Sequence, residues 1–197
     1  MVLDADDVAG NLRAIRNARS NADLVVVHVH NHEWDQARGT PYPADFLPPF
    51  ARQAIEAGAD VFIAQGSHAP LRGIALHRGK PIFFDTGDLF SMSHTIERFP
   101  YDFYARHPAE IDGPLAHALP VDGLAARQRY HTPMTVNPVG GYRADRKRTG
   151  IVPVLRYGAD GALNRVELHP FVHRHATVGE SGVPFRAAAA AAKGIID

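Results

Sequence analysis

The sequence predicts an α/β protein built on parallel strands, and three observations lead to that prediction. Helix, strand, helix and strand patterns follow one another at short spacing over residues 4–64. The strand patterns are short apolar runs rich in valine, which is typical of strands inside parallel sheets. The length of 197 residues fits one domain, so we treat residues 1–197 as a single domain.

The first helix is predicted over residues 4–20. Val8, Leu12 and Ile15 recur at helical spacing, and acidic residues precede them at the positive N-terminal end of the helix. Residues 24–29 form an almost unbroken apolar run. That run predicts a strand that is buried on both faces.

The second helix and strand follow a proline-rich stretch. Four prolines in residues 41–49 predict a loop. An apolar stripe then predicts a helix, which ends at Gly58, and the stripe consists of Phe46, Phe50, Ala54 and Ile55. Residues 61–64 form the second buried strand.

Two hairpins are predicted later in the chain, each from two apolar runs around a glycine-containing turn. The first pairs residues 74–77 with residues 82–84, and the second pairs residues 151–157 with residues 163–169. Residues 91–148 are polar, contain scattered prolines and show no clear period, which predicts an irregular insertion. The alanine-rich stretch 186–196 predicts a closing helix.

The composition excludes several classes of function. There is no cysteine, which removes disulfides, thiolate nucleophiles and cysteine-ligated zinc. Acidic and basic residues balance at 21 each, so charge does not indicate nucleic acid, and we expect no nucleic-acid partner. No apolar run is long enough to span a bilayer. No secretory signal is present, which favours the cytoplasm, but the compartment stays undecided.

Histidines cluster where the two predicted strands end. Segment 28–33 holds three histidines and a glutamate, and segment 65–68 ends the second strand with glutamine and histidine. Ligands bind at the carboxyl ends of strands in open α/β sheets, and imidazole suits zinc, iron and related ions. Metal ligation and an ordinary surface role are equally favoured for His30 and His68. A surface role is favoured for the later histidines: His77, His94, His107, His117, His131, His169, His173 and His175.

Two further segments have alternative interpretations. Residues 85–88, Asp-Thr-Gly-Asp, can contact a metal, but a tight turn with a positive φ at Gly87 is favoured. The basic cluster at residues 143–148 is favoured as a solvated loop, and alternatively grips an anionic substrate. No nucleophile elbow, phosphate-cradling loop or dinucleotide fingerprint is present.

A series of motifs resembles one protein family. The stretches "ADLVVVHVHNHEW" and "FARQAIEAGADVFIAQGSHAPLRGIALHRGKPIFFDTGDLF" resemble the C-terminal half of CapA-type poly-γ-glutamate capsule proteins, which belong to the calcineurin-like metallophosphoesterase superfamily. The resemblance covers most of residues 4–90 and returns over residues 151–197. It implies the C-terminal half of a two-sheet αββα metallophosphoesterase-like sandwich, with one or two divalent ions of manganese, iron or zinc between the sheet ends.

The motifs and the resemblance together give a set of candidate site residues. The candidate metal ligands are His30, His68 and Gln65. The candidate catalytic residues are His32, Glu33 and Asp88. The candidate substrate-binding residues are Arg72, Arg143 and Arg146.

The chain departs from the family pattern in two ways. Gln65 stands where the family pair His-x-x-His has its first histidine, and an amide is a poor transition-metal ligand. The family's N-terminal half, with its Gly-Asp and Asn-Asn-His motifs, is missing. Three explanations stay open: the chain is a fragment, it has lost half of its site, or a partner chain supplies that half. A sheet without its first strands also predicts self-association.

The resemblance implies a role in making or processing poly-γ-glutamate capsule, by metal-dependent hydrolysis of a phosphoester or amide bond. Family members are often found at the cell surface. Two alternatives remain: a general metal-dependent phosphoesterase, and a non-catalytic module that binds an anionic polymer through the basic residues 143–148. Metal content separates these readings, because an enzyme of this type needs a tightly bound ion.

Overall fold

The structure is a computed structural model, and it describes residues 2–67, 71–90, 99–108, 111, 113–131, 149–174 and 182–196. The chain divides into two compact units. The first unit comprises residues 1–89, 149–172 and 186–197. The second unit comprises residues 90–148 and 173–185. The mixed α/β class predicted from the sequence is confirmed.

Helix α1, Ala5–Arg19, opens the first unit and confirms the first predicted helix. The Asp4 carboxylate caps it, because one oxygen accepts the N–H groups of Asp6 and Asp7 at 2.9 and 3.1 Å. Such a cap satisfies donors that the helix itself leaves unpaired. Ile15 is buried on the inner face of the helix.

The main sheet has four strands in the order β1, β4, β6, β5. They are β1 Val26–His30, β4 Val61–Gln65, β6 Lys80–Phe83 and β5 Ile74–His77. β1, β4 and β6 are parallel, and β5 pairs with β6 as the predicted antiparallel hairpin. Arg78 and Gly79 both have positive φ, +52° and +73°, as the tight hairpin turn requires.

Each face of this sheet packs against a different layer. One face meets α1 and helix α2, Leu47–Glu56. The buried residues of that layer include Ile15, Val25, Leu47, Ala51, Ala54, Ile55, Phe62, Ala64 and Ile82. The other face meets strands β7 Thr149–Tyr157 and β8 Leu163–Arg174. That second layer contains Val61, Phe83 and Ile151, with Leu155, Tyr157, Val166 and Leu168 packed around them.

The second sheet has the order β7, β8, β9, and β9 is Val183–Arg186. β7 and β8 are antiparallel over nine paired positions, which confirms the second predicted hairpin and lengthens it. Helix α5 covers Ala189–Ile196 only. The predicted closing helix therefore begins too early, because Arg186 ends a strand.

Strand β1 differs from the prediction of burial on both faces. Val27 and Val29 are half-buried under the helices, whereas Val26 is 50% exposed and His28 is exposed. β1 lies at the end of the sheet, and the second sheet packs against residues of β4 and β6. The apolar run correctly indicates a strand but does not reveal this edge position.

The prediction of a loop over the proline-rich residues 41–49 is also partly wrong. β2 Trp34–Asp35 and β3 Gly39–Pro43 form a small antiparallel pair between β1 and α2. Pro48 and Pro49 belong to the first turn of α2. Proline is tolerated there because the first N–H groups of a helix have no partner within it.

In the part that the structure describes, the second unit contains two helices, a 3₁₀ turn and the strand residues 173–174 and 183–185. Helix α3 is Tyr101–Arg106, a 3₁₀ turn covers Leu115–His117, and helix α4 is Pro120–His131. The rings of Phe99 and Phe103 stack with their centroids 4.4 Å apart. The insertion at residues 91–148 stays a prediction.

Across the described residues, each helix is too short or too polar to cross a bilayer.

Candidate functional site

The carboxyl ends of β1 and β4 lie side by side. His30 of β1 is paired in register with Gln65 of β4, and the Asn31 N–H donates to the Gln65 carbonyl at 2.8 Å. The predicted meeting of these two strand ends is therefore confirmed. Residues that follow either strand emerge at one edge of the sheet, where α/β proteins bind ligands.

The imidazoles of His30 and His32 converge at this edge. Their Nε2 atoms are 3.2 Å apart, and the rings meet edge to face with centroids 4.9 Å apart. Both side chains are exposed to solvent. Two nitrogens at this separation can share a proton in a hydrogen bond or both ligate one ion.

Gly66 provides the space for His30. Its φ is +115°, and a Cβ atom there would lie 2.7 Å from the Asn31 carbonyl oxygen. The same Cβ would lie 3.0 Å from His30 Nε2. The imidazole therefore rests directly on the backbone at the end of β4, which a larger residue would prevent.

The buried side chain of Asp85 connects the segments that follow β4 and β6. Its side chain is 1% exposed, and its two oxygens accept the N–H groups of Ser67 at 3.1 Å and Gly87 at 2.8 Å. Gly87 has a φ of +80°, so the tight turn favoured for residues 85–88 is present. Asp85 thereby ties the turn after β4 to the turn after β6.

Arg72 supports the segment that follows β1. It is 5% exposed, and its guanidinium donates to the Glu33 carbonyl at 2.6 Å and the Thr40 carbonyl at 3.1 Å. Burial lowers the pKa of Arg72, and the negative charges of Asp85 and Glu33 oppose that shift. The described contacts of Arg72 thus hold the backbone after His32 in place.

Residues 2–93 match the family model of the bacterial capsule synthesis protein PGA_cap. Within this range the chain is therefore similar to the PGA_cap family. This match confirms the family resemblance that the motifs indicate, and it includes both strand ends, the His30–His32 pair and Asp85.

Similar curated proteins come from two bacteria. The uncharacterized protein y4sH of Sinorhizobium fredii is 28% identical over 169 residues, which is 83% of this chain and 34% of that protein. The protein y4uA of the same organism matches to the same extent. A probable polyglutamine synthesis accessory protein of Mycobacterium tuberculosis is 36% identical over 86 residues, 43% of this chain and 20% of that protein. The chain thus spans about a third or less of the length of these relatives.

Some of the other predicted site residues lie in the described part of the chain, and the rest lie outside it. Gln65, Glu33 and Asp88 are half-buried. His68, Arg143 and Arg146 lie outside the described residues, so the expected approach of His68 to His30 stays a prediction. Within the described ranges, no group of three or more His, Cys, Asp or Glu side chains could hold a metal ion.

Three residues of this region were not among the predicted site residues. Asn31 is 7% exposed, and its side-chain amide donates to the Glu33 carbonyl at 3.2 Å. Asp85 belongs to the segment 85–88, but Asp88 is the predicted site residue of that segment. Gly66 gave no signal, because a single glycine after a strand usually means only a turn.

Proposed function

We propose that this chain acts in the synthesis or processing of poly-γ-glutamate capsule, by metal-dependent hydrolysis of a phosphoester or amide bond. The observation that carries the proposal is the His30–His32 pair, with its Nε2 atoms 3.2 Å apart at the carboxyl end of β1. The PGA_cap match over residues 2–93 supports the capsule role. The mycobacterial relative is named a probable polyglutamine synthesis accessory protein, so it is connected with the synthesis of a polymer of a related amino acid, which is in keeping with a role in polymer synthesis.

The layering of the first unit supports a metallophosphoesterase-like sandwich. Helices α1 and α2 cover one face of the main sheet, and a second sheet covers the other. The histidine pair lies at the strand ends of such a two-sheet core, where the superfamily resemblance puts its metals. We therefore propose that this chain supplies part of an αββα fold.

The donor chemistry at the strand ends fits a divalent ion. His30 and His32 offer two imidazole nitrogens, which suit manganese, iron or zinc, and by the resemblance His68 would add a third. A bound ion would polarise the substrate and activate water. Gln65 stands beside this set as the weaker donor.

The chain's own residues would prepare this site in three ways. Gly66 lets the His30 ring lie on the end of β4, and Asp85 fixes the turn that leads to His68. Arg72 holds the backbone of Glu33. Glu33 or Asp88 would then carry a proton to or from the substrate, and Arg143 and Arg146 would attract an anionic polymer.

Metal binding provides the first test. Equilibrium dialysis with manganese, iron and zinc, followed by metal analysis, should find at least one ion bound per chain. His30→Gln and His32→Gln should each weaken that binding at least tenfold, because each removes one of two convergent nitrogens. His28→Gln is the matched control, since it removes an exposed histidine from the same strand without touching the pair.

Hydrolysis provides the second test. Poly-γ-glutamate and a generic phosphodiester are incubated with the metal-loaded chain, alone and together with a polypeptide that carries the family's N-terminal motifs. We expect turnover to be poor for the chain alone and to rise with the added half. A chain that binds no metal, and whose His30 and His32 variants behave as the parent does, would rule out the proposed function.

A further inference from the structure

Asn31 is buried between two exposed histidines. It is 7% exposed, whereas His30 and His32 on either side of it are open to solvent. Successive side chains of an extended chain point to opposite faces, so Asn31 lies on the face away from the imidazole pair. Its backbone is fixed on the end of β4, because its N–H donates to the Gln65 carbonyl at 2.8 Å and its own carbonyl lies against Gly66.

Two buried side chains converge on one backbone carbonyl, that of Glu33. The Asn31 amide donates to it at 3.2 Å, and the Arg72 guanidinium donates to it at 2.6 Å. A carbonyl oxygen has two lone pairs, so these two bonds use its full capacity. Arg72 is 5% exposed, and its Nε also donates to the Thr40 carbonyl at 3.1 Å, so the guanidinium is itself held at two points. The Glu33 carbonyl therefore cannot turn without leaving buried donors unpaired, which is costly.

His32 lies between these two fixed points. The Asn31 backbone holds the chain on one side of it, and the Glu33 carbonyl holds the chain on the other side. With both neighbours held, the backbone of His32 keeps one direction, and its ring meets His30 with the Nε2 atoms 3.2 Å apart. An imidazole on a loose segment would sample many directions, and ordering it would cost conformational entropy. The buried bonds therefore order the pair before any ligand arrives.

We propose that Asn31 is a positioning residue for the His30–His32 pair. It acts through the Glu33 carbonyl, which it shares with Arg72, and it keeps the two imidazoles converged so that they bind one divalent ion as a preformed pair. The inference rests on the proposed function in taking the pair as metal ligands. The convergence of the rings, however, can be measured without any metal.

The metal-free chain tests the convergence of the rings directly. NMR of the full chain with isotope-labelled histidines should detect a nuclear Overhauser effect between the rings of His30 and His32, because their centroids are 4.9 Å apart. Asn31→Leu removes the amide donor at similar volume and should abolish this signal. Asn31→Ala removes the amide without adding bulk, and it takes the place of the leucine variant if that variant does not unfold cooperatively in urea.

Two controls separate positioning from other effects of substitution. Asn21→Leu removes an amide that also donates to a backbone carbonyl, that of Asn17 at 2.7 Å, in an exposed segment before β1. Gly161→Ala strains a residue with a φ of +76° in the turn between β7 and β8, where a Cβ meets nothing within 4 Å. Both variants should keep the ring contact. An unchanged ring contact in Asn31→Leu, or an equal loss of it in either control, would overturn the proposal.

Cobalt binding tests what the positioning serves. Co²⁺ is the probe because its visible absorption reports the number and geometry of its ligands. Asn31→Leu should weaken cobalt binding about tenfold or more and shift the spectrum toward that of His30→Gln, since one imidazole no longer converges. Asn21→Leu should leave affinity and spectrum unchanged.

The outcomes separate this inference from the proposed function. A parent chain that binds no cobalt would contradict the proposed function, and the ring contact alone would then decide the role of Asn31. A parent chain and an Asn31→Leu variant with equal affinity and equal spectra would show that Asn31 does not position the pair for metal binding, and the inference would be wrong.

Discussion

A buried carboxylate organises the turns around the candidate site. Asp85 is 1% exposed, and each of its oxygens accepts a different backbone N–H, one from Ser67 and one from Gly87. An amide at this position has one acceptor oxygen, so it must direct an NH₂ group at one of the two N–H donors. The charge of the carboxylate also lies near the buried guanidinium of Arg72.

We therefore predict that Asp85→Asn lowers the free energy of unfolding by about 1–3 kcal/mol, the usual cost of an unsatisfied buried polar group. Urea unfolding at neutral pH measures it. Asp35→Asn is the matched control, because Asp35 also accepts two backbone N–H groups, but both bonds go to the same oxygen, Oδ1, near the surface. An amide can keep both bonds, so this change should be nearly neutral. Equal losses in the two variants would contradict the role of Asp85.

The turn after β4 allows a prediction at the scale of the structural element. Gly66 and Gly73 both have φ values in the left-handed region, +115° and +95°. A Cβ at Gly73 meets nothing within 4 Å, whereas a Cβ at Gly66 meets the Asn31 carbonyl and the His30 ring. Replacing either glycine by alanine introduces backbone strain of about 1–2 kcal/mol. The steric clash is specific to Gly66.

We predict that Gly66→Ala costs about 1–3 kcal/mol more than Gly73→Ala, because overpacking adds to the shared strain. It should also weaken metal binding by the histidine pair, since His30 must move. Thermal unfolding measures the first effect and dialysis with zinc measures the second. If both alanine variants lost the same stability and kept the same metal affinity, the packing of His30 on Gly66 would be irrelevant.

Local sequence patterns predict which helices and strands form. They predict less well what surrounds each element in the fold. Asp4, Val8 and Ile15 predict α1 within one residue at each end, because capping and helical spacing are local. The apolar run at 24–29 predicts β1 but suggests burial on both faces, whereas Val26 is half exposed. Whether a strand is central or terminal depends on strand order, which long-range pairing decides.

In the candidate site, too, local features can be predicted from the sequence and long-range contacts cannot. The positions of His30 and Gln65 follow from the rule that parallel strands end at one edge, and their pairing confirms it. The roles of Arg72 and Asp85 come from hydrogen bonds that link residues 39 and 18 positions apart in the chain. No periodicity or short motif encodes such contacts, so they could not be predicted from the sequence.

Ion pairs along the whole first unit favour the folded state when carboxylates are ionised. Arg156 and Arg165 both donate to the Glu167 carboxylate on the second sheet, and these hydrogen bonds lower the pKa of Glu167 to about 2. On the main sheet, burial raises the pKa of Asp60, but bonds from Val25 and Lys80 and the charges of Lys80 and Arg19 outweigh it. The net pKa of Asp60 is below its usual value.

These depressed pKa values predict a loss of stability in acid. The unfolded chain binds protons at Glu167 near its ordinary pKa of 4.5, whereas the folded chain resists them until about 2. The stabilisation from this group is therefore complete above about pH 4.5 and lost progressively as the pH falls toward 2. Glu167→Gln should flatten the fall in urea midpoint between about pH 5 and pH 3, while Asp23→Asn, in an exposed loop, should leave it unchanged. A parent and a Glu167→Gln variant with identical pH profiles would show that the arginine pairs on the second sheet contribute nothing to the folded state.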